Sequence, residues 1–453
     1  MSKNFTAVTA ALLGVGIAVC MALGMDPRLT IALIIMATVL LWATLAVPEH
    51  YTALLFIASV LVLGLAGPET ALAGFKSQAV WLVFAGIVFG AAIQKHEMGS
   101  AIFDRVLGVL GSYSKLVWAL AAIGLGLSFL IPSAMGRVVL LAPLVAGLCD
   151  RLGLSQNAPA RTGLCLTAVA ATTLPAFTVL TSNVPNVVLL GAMETAFGRG
   201  ITYGDYLLLN FPVLGLGVFV LIPLLIQRLF PGGDAGPEQT IQASSPWTGD
   251  QRRLMIILLG TLVFWATDNV HGIAAAWVGL AAALICMAPL LGAIRPATVT
   301  QLNFGPWFFV AGAISVGAVV RDSGLGPTLG AYMFGGGTLS GLPSLLQYAA
   351  LVSGSAVLAV FTTLPASPSI FTPLAGSLAE TIGWPVEAVV LAQVPSFIFF
   401  AFPYQAPPVL VGITMLNIPL GQSMKFFALA CLIGLTLLTP LHYLWGSSIG
   451  VFP

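Results

Sequence analysis

An arginine stands directly after a break in an apolar stretch, where it could bind an anion. Arg137 follows the helix-breaking run Pro132-Ser133-Ala134-Met135-Gly136. A helix beginning there would offer unpaired N–H donors and the positive end of its dipole, and a guanidinium matches carboxylate, sulfonate or sulfate oxygens. An ionised side chain within a membrane costs about 2.5 to 3.5 kcal/mol on insertion scales, so it usually marks a site. We predict that Arg137 faces an anion; the alternative is that it snorkels to the cytoplasmic headgroups.

Hydroxyl and amide side chains cluster at this break and at three others. Each of them could donate to a ligand, or could instead satisfy backbone carbonyls that the prolines leave free. The predicted substrate-binding residues are Ser133, Arg137, Asn183, Pro185, Asn186, Thr363, Ser367, Gln405 and Pro407. The apolar sequence contains no constellation of nucleophile, base or metal ligands, so the residues indicate neither an enzyme nor a cofactor site.

The elements that carry these residues are predicted to be membrane helices. Of the 453 residues, 58% are hydrophobic and 7% are charged, whereas soluble domains have roughly 25% charged residues. Mean hydropathy is +1.04. The composition predicts an all-α polytopic protein in a lipid bilayer. The net charge of +1 does not provide the basic field that a nucleic-acid partner requires.

Sequence similarity within the chain predicts two repeats. Pro143, Trp81 and Pro185 recur about 220 to 230 positions later as Pro373, Trp307 and Pro407, each in a similar context. Duplicated units with broken apolar segments are typical of transporters whose site lies between the repeats. The predicted division is a first transmembrane helix at 1–24, repeat 1 at 25–230 with a hairpin near 115–150, a cytoplasmic linker at 231–253, and repeat 2 at 254–453 with a hairpin near 342–382.

Span length and charge placement predict the topology. Segments of about 20 apolar residues give about 11 transmembrane helices, including spans near 52–66, 77–95, 206–229 and 304–321, and an interfacial helix is predicted near 98–111. Each repeat contains a re-entrant hairpin and a broken helix. Of the 16 basic residues, 11 then fall on the cytoplasmic side and four outside, with Arg137 left over. The positive-inside rule therefore predicts a cytoplasmic N-terminus, an extracytoplasmic C-terminus, inverted repeats and a location in the inner (plasma) membrane.

These features resemble the divalent anion/sodium symporter family over nearly the full length. The stretch from Trp42 to Pro48 looks like the family's Trp-x-x-Glu-x-x-Pro segment, with Leu45 in place of the Glu, and the order of hairpins and broken helices also fits. The resemblance implies an inverted-repeat bundle, usually dimeric, whose transport domain moves like an elevator against a scaffold. It also implies that hairpin tips and broken helices hold the substrate and, commonly, Na⁺.

The family's hairpin signature, Ser-Asn-Thr, is degenerate in both copies. The corresponding segments are Ser133-Ala134-Met135 and Thr363-Leu364-Pro365, so both asparagines are missing. In the family these asparagines and neighbouring carbonyls help to coordinate Na⁺, so Na⁺ coupling does not simply carry over. Our hypothesis is that Arg137 supplies, as a tethered cation, part of the positive charge that bound Na⁺ supplies in other members.

The predicted function is secondary active transport of a small anion, such as a dicarboxylate, sulfonate or sulfate, by elevator-type alternating access. Two alternatives stay open: a passive or channel-like anion pathway, and an anion exchanger without cation coupling. The expected partners are a small anionic substrate, bilayer lipid and a second copy of the chain. Na⁺ stays possible as a coupling ion.

Overall fold

The fold is built entirely of helices in the part of the chain that can be described. The computed structural model describes residues 24, 26–44, 47–98, 100, 103, 112–232, 246–289, 292–325 and 339–453. In the first half the helices are α1 Pro27–Thr44, α2 Glu49–Val62, α3 Pro68–Ala71, α4 Ala73–Lys76, α5 Gln78–Lys95, α6 Tyr113–Leu130, α7 Ala134–Arg151, α8 Pro159–Thr173, α9 Val184–Phe197 and α10 Tyr203–Leu229.

The second half contains nine helices among its described residues. They are α11 Gly249–Ala266, α12 Asp268–His271, α13 Ala275–Met287, α14 Gly305–Asp322, α15 Ser344–Phe361, α16 Ser367–Ile382, α17 Val386–Ile398, α18 Pro407–Met415 and α19 Leu420–Ser448. The predicted all-α class is confirmed, since these residues form no strand.

Helix length and composition agree with a membrane protein. Among the described residues, six helices are long and apolar enough to cross a bilayer, namely α1, α5, α6, α10, α15 and α19. Shorter apolar helices accompany them, including α2, α9, α13 and α17. The predicted first helix at 1–24 and most of a predicted interfacial segment near 98–111 lie outside the described residues.

Each half contains a helical hairpin whose turn is set by proline and hydroxyl residues. In the first, α6 and α7 are joined through Pro132, and Ser133 Oγ caps α7 by accepting a hydrogen bond from Gly136 N at 3.1 Å. In the second, α15 and α16 are joined by residues 362–366. Proline lacks an N–H and has a fixed φ, so it suits a helix end better than a helix interior.

Each half also contains a broken helix. The first runs from α8 through the 3₁₀ turn Pro175–Thr178 to α9, and the second runs from α17 through the turn Pro403–Gln405 to α18. Proline stands in the first turn of both α9 and α18, where the missing N–H costs nothing because that position has no intrahelical partner. Both halves therefore bring a second helix N-terminus into the protein interior.

Helix α8 lies at the centre of the first half. Every residue from Arg161 to Thr173 is buried, and a Cβ added to Gly124 on α6 would come within 2.6 Å of the Ala171 carbonyl carbon. Only glycine allows α6 and α8 to approach so closely. This packing fixes the first hairpin against the first broken helix, which positions the turn that carries Arg137.

Candidate functional site

The hairpin turns and helix breaks of both halves meet at one cavity. Its volume is about 350 Å³, within the usual size range of small-ligand sites. The hairpin tips and helix breaks contribute residues 132–135, Thr181 and 183–185 from the first half and residues 364–365 and 406–408 from the second. The remaining lining residues belong to α2, α5 and α14, with Thr173, Phe177, Val187 and Asn303. The cavity therefore lies between the two repeats that the sequence similarity predicted.

Arg137 lies directly behind this cavity and is completely buried. Its Nε donates to Thr172 O at 2.8 Å, and Nη1 donates to Ile131 O, to Ser182 O at 3.1 Å and to Ser182 Oγ at 2.8 Å. Nη2 donates to Asn183 Oδ1 at 3.0 Å. The guanidinium thus ties the first hairpin tip to both sides of the break between α8 and α9. The snorkelling alternative requires the guanidinium to reach the headgroups, whereas here it is held in the protein interior.

The electrostatic setting of Arg137 is that of a bound cation. Ile131 is the C-terminal cap of α6, and Thr172 belongs to the last turn of α8. Carbonyls at helix C-termini carry partial negative charge and stabilise cations, and transporters use such ends and unwound backbone to coordinate Na⁺. None of the acceptors is a carboxylate. The charge is therefore solvated by neutral dipoles and is not cancelled.

These contacts also decide whether Na⁺ fits beside the first hairpin. The resemblance implied a Na⁺ held by the signature residues and neighbouring carbonyls. In this chain the carbonyls of Ile131, Thr172 and Ser182 accept hydrogen bonds from Arg137, and the guanidinium fills the space between them. The residues present do not fit a Na⁺ at this position.

Asn183 connects Arg137 to the cavity. A guanidinium has no acceptor, so the atom of Asn183 that meets Nη2 must be the oxygen, which leaves the NH₂ group as the free end. Nδ2 makes one long contact, 3.4 Å to Thr173 O, and Asn183 lines the cavity. Arg137 therefore holds an amide donor in place beside the cavity.

Helix N-termini from the two halves point at the same space. Ser133 caps α7, Asn183 precedes α9, and Ala406 precedes α18. All three residues line the cavity. The first backbone hydrogen bond of α7 is from Arg137 N to Ser133 O, so the N–H groups before Gly136 have no partner within that helix. Such ends favour anions because their dipoles and free N–H groups act together.

Four of the nine sequence-predicted site residues line the cavity in this structure. They are Ser133, Asn183, Pro185 and Pro407. The other five lie behind the wall, namely Arg137, Asn186, Thr363, Ser367 and Gln405. Substrate contact by these five residues stays a prediction. In this structure their hydrogen bonds hold the turns in place.

Apart from Arg137, the residues behind the wall make different contacts in the two halves. Asn186 Nδ2 donates to Phe177 O at 3.1 Å and to Val179 O at 2.9 Å, which satisfies carbonyls freed by the first break. Gln405 O accepts from Leu364 N at 3.0 Å and joins the second hairpin tip to the second break. These contacts are structural.

The second hairpin carries no counterpart of the arginine. Ser367 stands at the position equivalent to Arg137, and its hydroxyl donates to Leu364 O at 3.2 Å. Thr363 Oγ1 is buried and has no hydrogen-bond partner among the described residues. The fixed charge therefore belongs to the first half alone.

The sequence reasoning missed polar residues on the opposite wall. Glu49, His50 and Asn303 line the cavity, and the Oε1 atom of Glu49 is buried with no hydrogen-bond partner among the described residues. The available signal was the pair Glu49-His50 directly after the motif ending at Pro48. We missed this pair because the predicted transmembrane span began only at residue 52, which placed Glu49 and His50 in a loop.

The two ends of the cavity region differ in exposure and in hydrogen bonding. At one end, His50, Asn303 and Pro306 are exposed. Toward the other end, Glu194 of α9 accepts hydrogen bonds from Ser77 Oγ at 2.8 Å and Gln78 N at 3.0 Å, at the start of α5. The carboxylate therefore joins α9 to the N-terminus of α5.

Comparison with known proteins decides the family. The profile of the sodium:sulfate symporter transmembrane region matches residues 3–452. The chain belongs to this family of divalent anion/sodium symporters. Its members are transporters, so the chain is a multi-pass membrane transporter and not an enzyme.

Individual relatives are distant but cover most of the chain. A membrane protein of Cupriavidus necator is 26% identical over 352 residues, which cover 74% of this chain and 68% of the relative. The L-tartrate/succinate antiporter of Escherichia coli K12 is 24% identical over 392 residues, which cover 83% of this chain and 80% of the relative.

A solved structure shares the fold. The YdaH transporter of Alcanivorax borkumensis superimposes with a TM-score of 0.57 at 16% sequence identity. The match covers 94% of this chain and 100% of that one. It supports the polytopic helical architecture.

Proposed function

We propose that this chain is a secondary transporter of a small anion across the cytoplasmic membrane. It works by elevator-type alternating access, as a homodimer, with Arg137 as a fixed cation at the position where Na⁺ coupling would act. The observation that carries the proposal is the pairing of a completely buried guanidinium with helix N-termini that meet at a cavity between the two halves.

A tethered cation favours anion exchange. In a Na⁺ symporter, the empty carrier has released both the anion and its cation, so the empty site can cross the membrane without excess charge. Arg137 cannot dissociate, so an empty site would cross with a bare positive charge, and charges in low-dielectric surroundings are costly. A bound anion removes that cost. The loaded carrier therefore crosses more easily than the empty one in both directions, which is the condition for exchange.

The exposed end of the cavity, together with the Glu194 contacts toward the other end, supports an inward-facing state. With the predicted orientation, His50 and Asn303 lie on the cytoplasmic side, and the Glu194 contacts to Ser77 and Gln78 lie on the outer side. For outward opening, the hairpins and broken helices would move relative to α2, α5 and α14. Breaking the Glu194 contacts is part of that movement.

Counterflow in proteoliposomes tests the proposed function. Vesicles preloaded with one anion and diluted into the same radiolabelled anion should accumulate label without any Na⁺ or pH gradient. A passive pathway gives no transient accumulation, because it does not couple the two fluxes. Equilibration without overshoot for every anion class, including dicarboxylates, monocarboxylates and sulfonates, would contradict the proposal.

A further inference from the structure

The two inner walls of the cavity differ completely in hydrogen-bond donors. The wall from the first half contains the Ser133 hydroxyl, the Thr181 hydroxyl and the Asn183 amide. It also contains Ala134 and Met135, whose N–H groups lie in the first turn of α7 before its first backbone hydrogen bond, from Arg137 N to Ser133 O. This wall can surround an anionic group with several donors, and the buried positive charge lies directly behind it.

The wall formed by the second hairpin tip and the second helix break offers no donor. It consists of Leu364, Pro365, Ala406, Pro407 and Pro408, none of which has a polar side chain. The three prolines lack an N–H. Leu364 N donates to Gln405 O at 3.0 Å, and Ala406 N donates to Pro403 O at 3.3 Å. Every backbone donor of this wall is therefore absent or already used.

The rest of the lining reinforces this asymmetry. Leu82, Val83, Ile87 and Phe309 form an apolar surface from α5 and α14. At the exposed end the lining residues are Glu49, His50 and Asn303, and Glu49 is the one acidic residue that lines the cavity in the part of the chain that the structure describes. A ligand with one anionic group against the first-half wall would press a second anionic group against apolar carbon or bring it to the exposed end. Against carbon the second charge has no partner, which is strongly unfavourable. At the exposed end the Glu49 carboxylate repels it, and water already solvates the polar groups of His50 and Asn303.

We propose that the substrate is a monoanion with an apolar body. Its single carboxylate or sulfonate lies against the first-half wall near Asn183, and its uncharged part lies against the prolines of the second half. One negative charge then matches the one fixed positive charge of Arg137. This proposal rests on the proposed transport of small anions and specifies the substrate class within it.

The direct test compares two ligands that differ in one group. Butyrate and succinate have the same carbon number, and only succinate has a second carboxylate. Binding to the full-length protein in detergent is measured by thermal shift and by calorimetry in Na⁺-free buffer. We expect butyrate to bind at least about tenfold more tightly than succinate. The second carboxylate of succinate would be buried without a partner, and this cost outweighs any attraction to polar groups at the exposed end. Propanesulfonate should behave like butyrate.

A substitution on the donor-free wall sharpens the test. Leu364→Asn adds an amide donor where the second carboxylate of succinate would lie, and should shift the preference between the two ligands by about tenfold toward succinate. Leu342→Asn, at an exposed position near the base of the same hairpin, is the matched control and should leave the preference unchanged. The comparison of ligands on the wild type stands even if Leu364→Asn fails to fold.

The outcomes separate this inference from the proposed function. Equal or tighter binding of succinate by the wild type would overturn the monoanion proposal while leaving anion transport intact. An unchanged preference in folded Leu364→Asn would also count against it. Failure of every carboxylate and sulfonate to bind, together with absence of counterflow, would overturn both.

Discussion

At the scale of single residues, the chemistry centres on a cation that cannot leave. Arg137 was singled out in the sequence because it follows a break in an apolar segment. Its partners could not be predicted, because Thr172, Ser182 and Asn183 reach it only through the packing of α6 and α7 on α8. The sequence predicts direct contact with an anion, which stays a prediction. The structure places Asn183 between the guanidinium and the cavity.

Replacing Arg137 tests its structural contribution. Arg137→Ala leaves the oxygens of Ile131, Thr172 and Ser182 without donors, and each unpaired buried acceptor costs about 1 to 3 kcal/mol. We expect a melting temperature several degrees below that of the wild type, measured by thermal unfolding in detergent. Arg137→Lys keeps the charge but has fewer donors, so its melting temperature should lie between the two. A wild-type melting temperature in Arg137→Ala would show that the network contributes no stability.

Asn183 gives a test that separates charge from stability. Asn183→Asp keeps an acceptor for Arg137, so the variant should fold normally. Its carboxylate offsets the positive charge of the guanidinium and removes the amide donor, so KM for the anion should rise at least about tenfold. Asn183→Ala, which removes the acceptor, should instead lower the melting temperature. Both are measured by uptake and thermal unfolding of the same preparations. Unchanged KM in Asn183→Asp would mean that the charge of Arg137 does not act on the substrate.

At the scale of elements, the sequence predicted the turns and breaks well. Predicted segments near 77–95, 206–229 and 304–321 became α5, α10 and α14 within a few residues, because prolines and polar runs end apolar helices at definite places. Depth within the bundle was harder to predict. Glu49 starts α2 and is half-buried with a buried Oε1 atom, and nothing in the local pattern distinguishes this from a fully exposed position.

The contact between α5 and the first hairpin tip gives a prediction about movement. A Cβ on Gly86 would lie 2.9 Å from Pro132 O and 3.2 Å from Pro132 Cγ, whereas Gly90, one turn later, has open space. Gly86→Ala should therefore displace the tip and slow transport several-fold, because in the proposed elevator movement the hairpin and α5 pass each other closely. Gly90→Ala, the matched control, should transport like the wild type. Initial exchange rates at saturating anion give the comparison, and equal rates in both variants would show that this contact does not limit transport.

At the scale of the whole molecule, the orientation in the membrane determines which state the structure represents. Glu69 has a side chain that is 86% exposed and belongs to the predicted outer side, and Asp250, 56% exposed, belongs to the predicted cytoplasmic linker. In intact cells a membrane-impermeant thiol reagent should label Glu69→Cys, and should label Asp250→Cys only after permeabilisation. The reverse pattern would invert the topology and make this structure outward-facing.

In the proposed transport cycle, Arg137 is the permanent replacement for a coupling ion. Anion counterflow is measured in proteoliposomes for the wild type and Arg137→Ala while Na⁺ is raised from zero at constant ionic strength with choline. We expect the wild type to be indifferent to Na⁺, and Arg137→Ala to be nearly inactive without Na⁺ and stimulated by it, since the freed carbonyls of Ile131, Thr172 and Ser182 are suitable cation ligands. Wild-type counterflow that requires Na⁺, or full activity of Arg137→Ala in its absence, would contradict the fixed-cation mechanism.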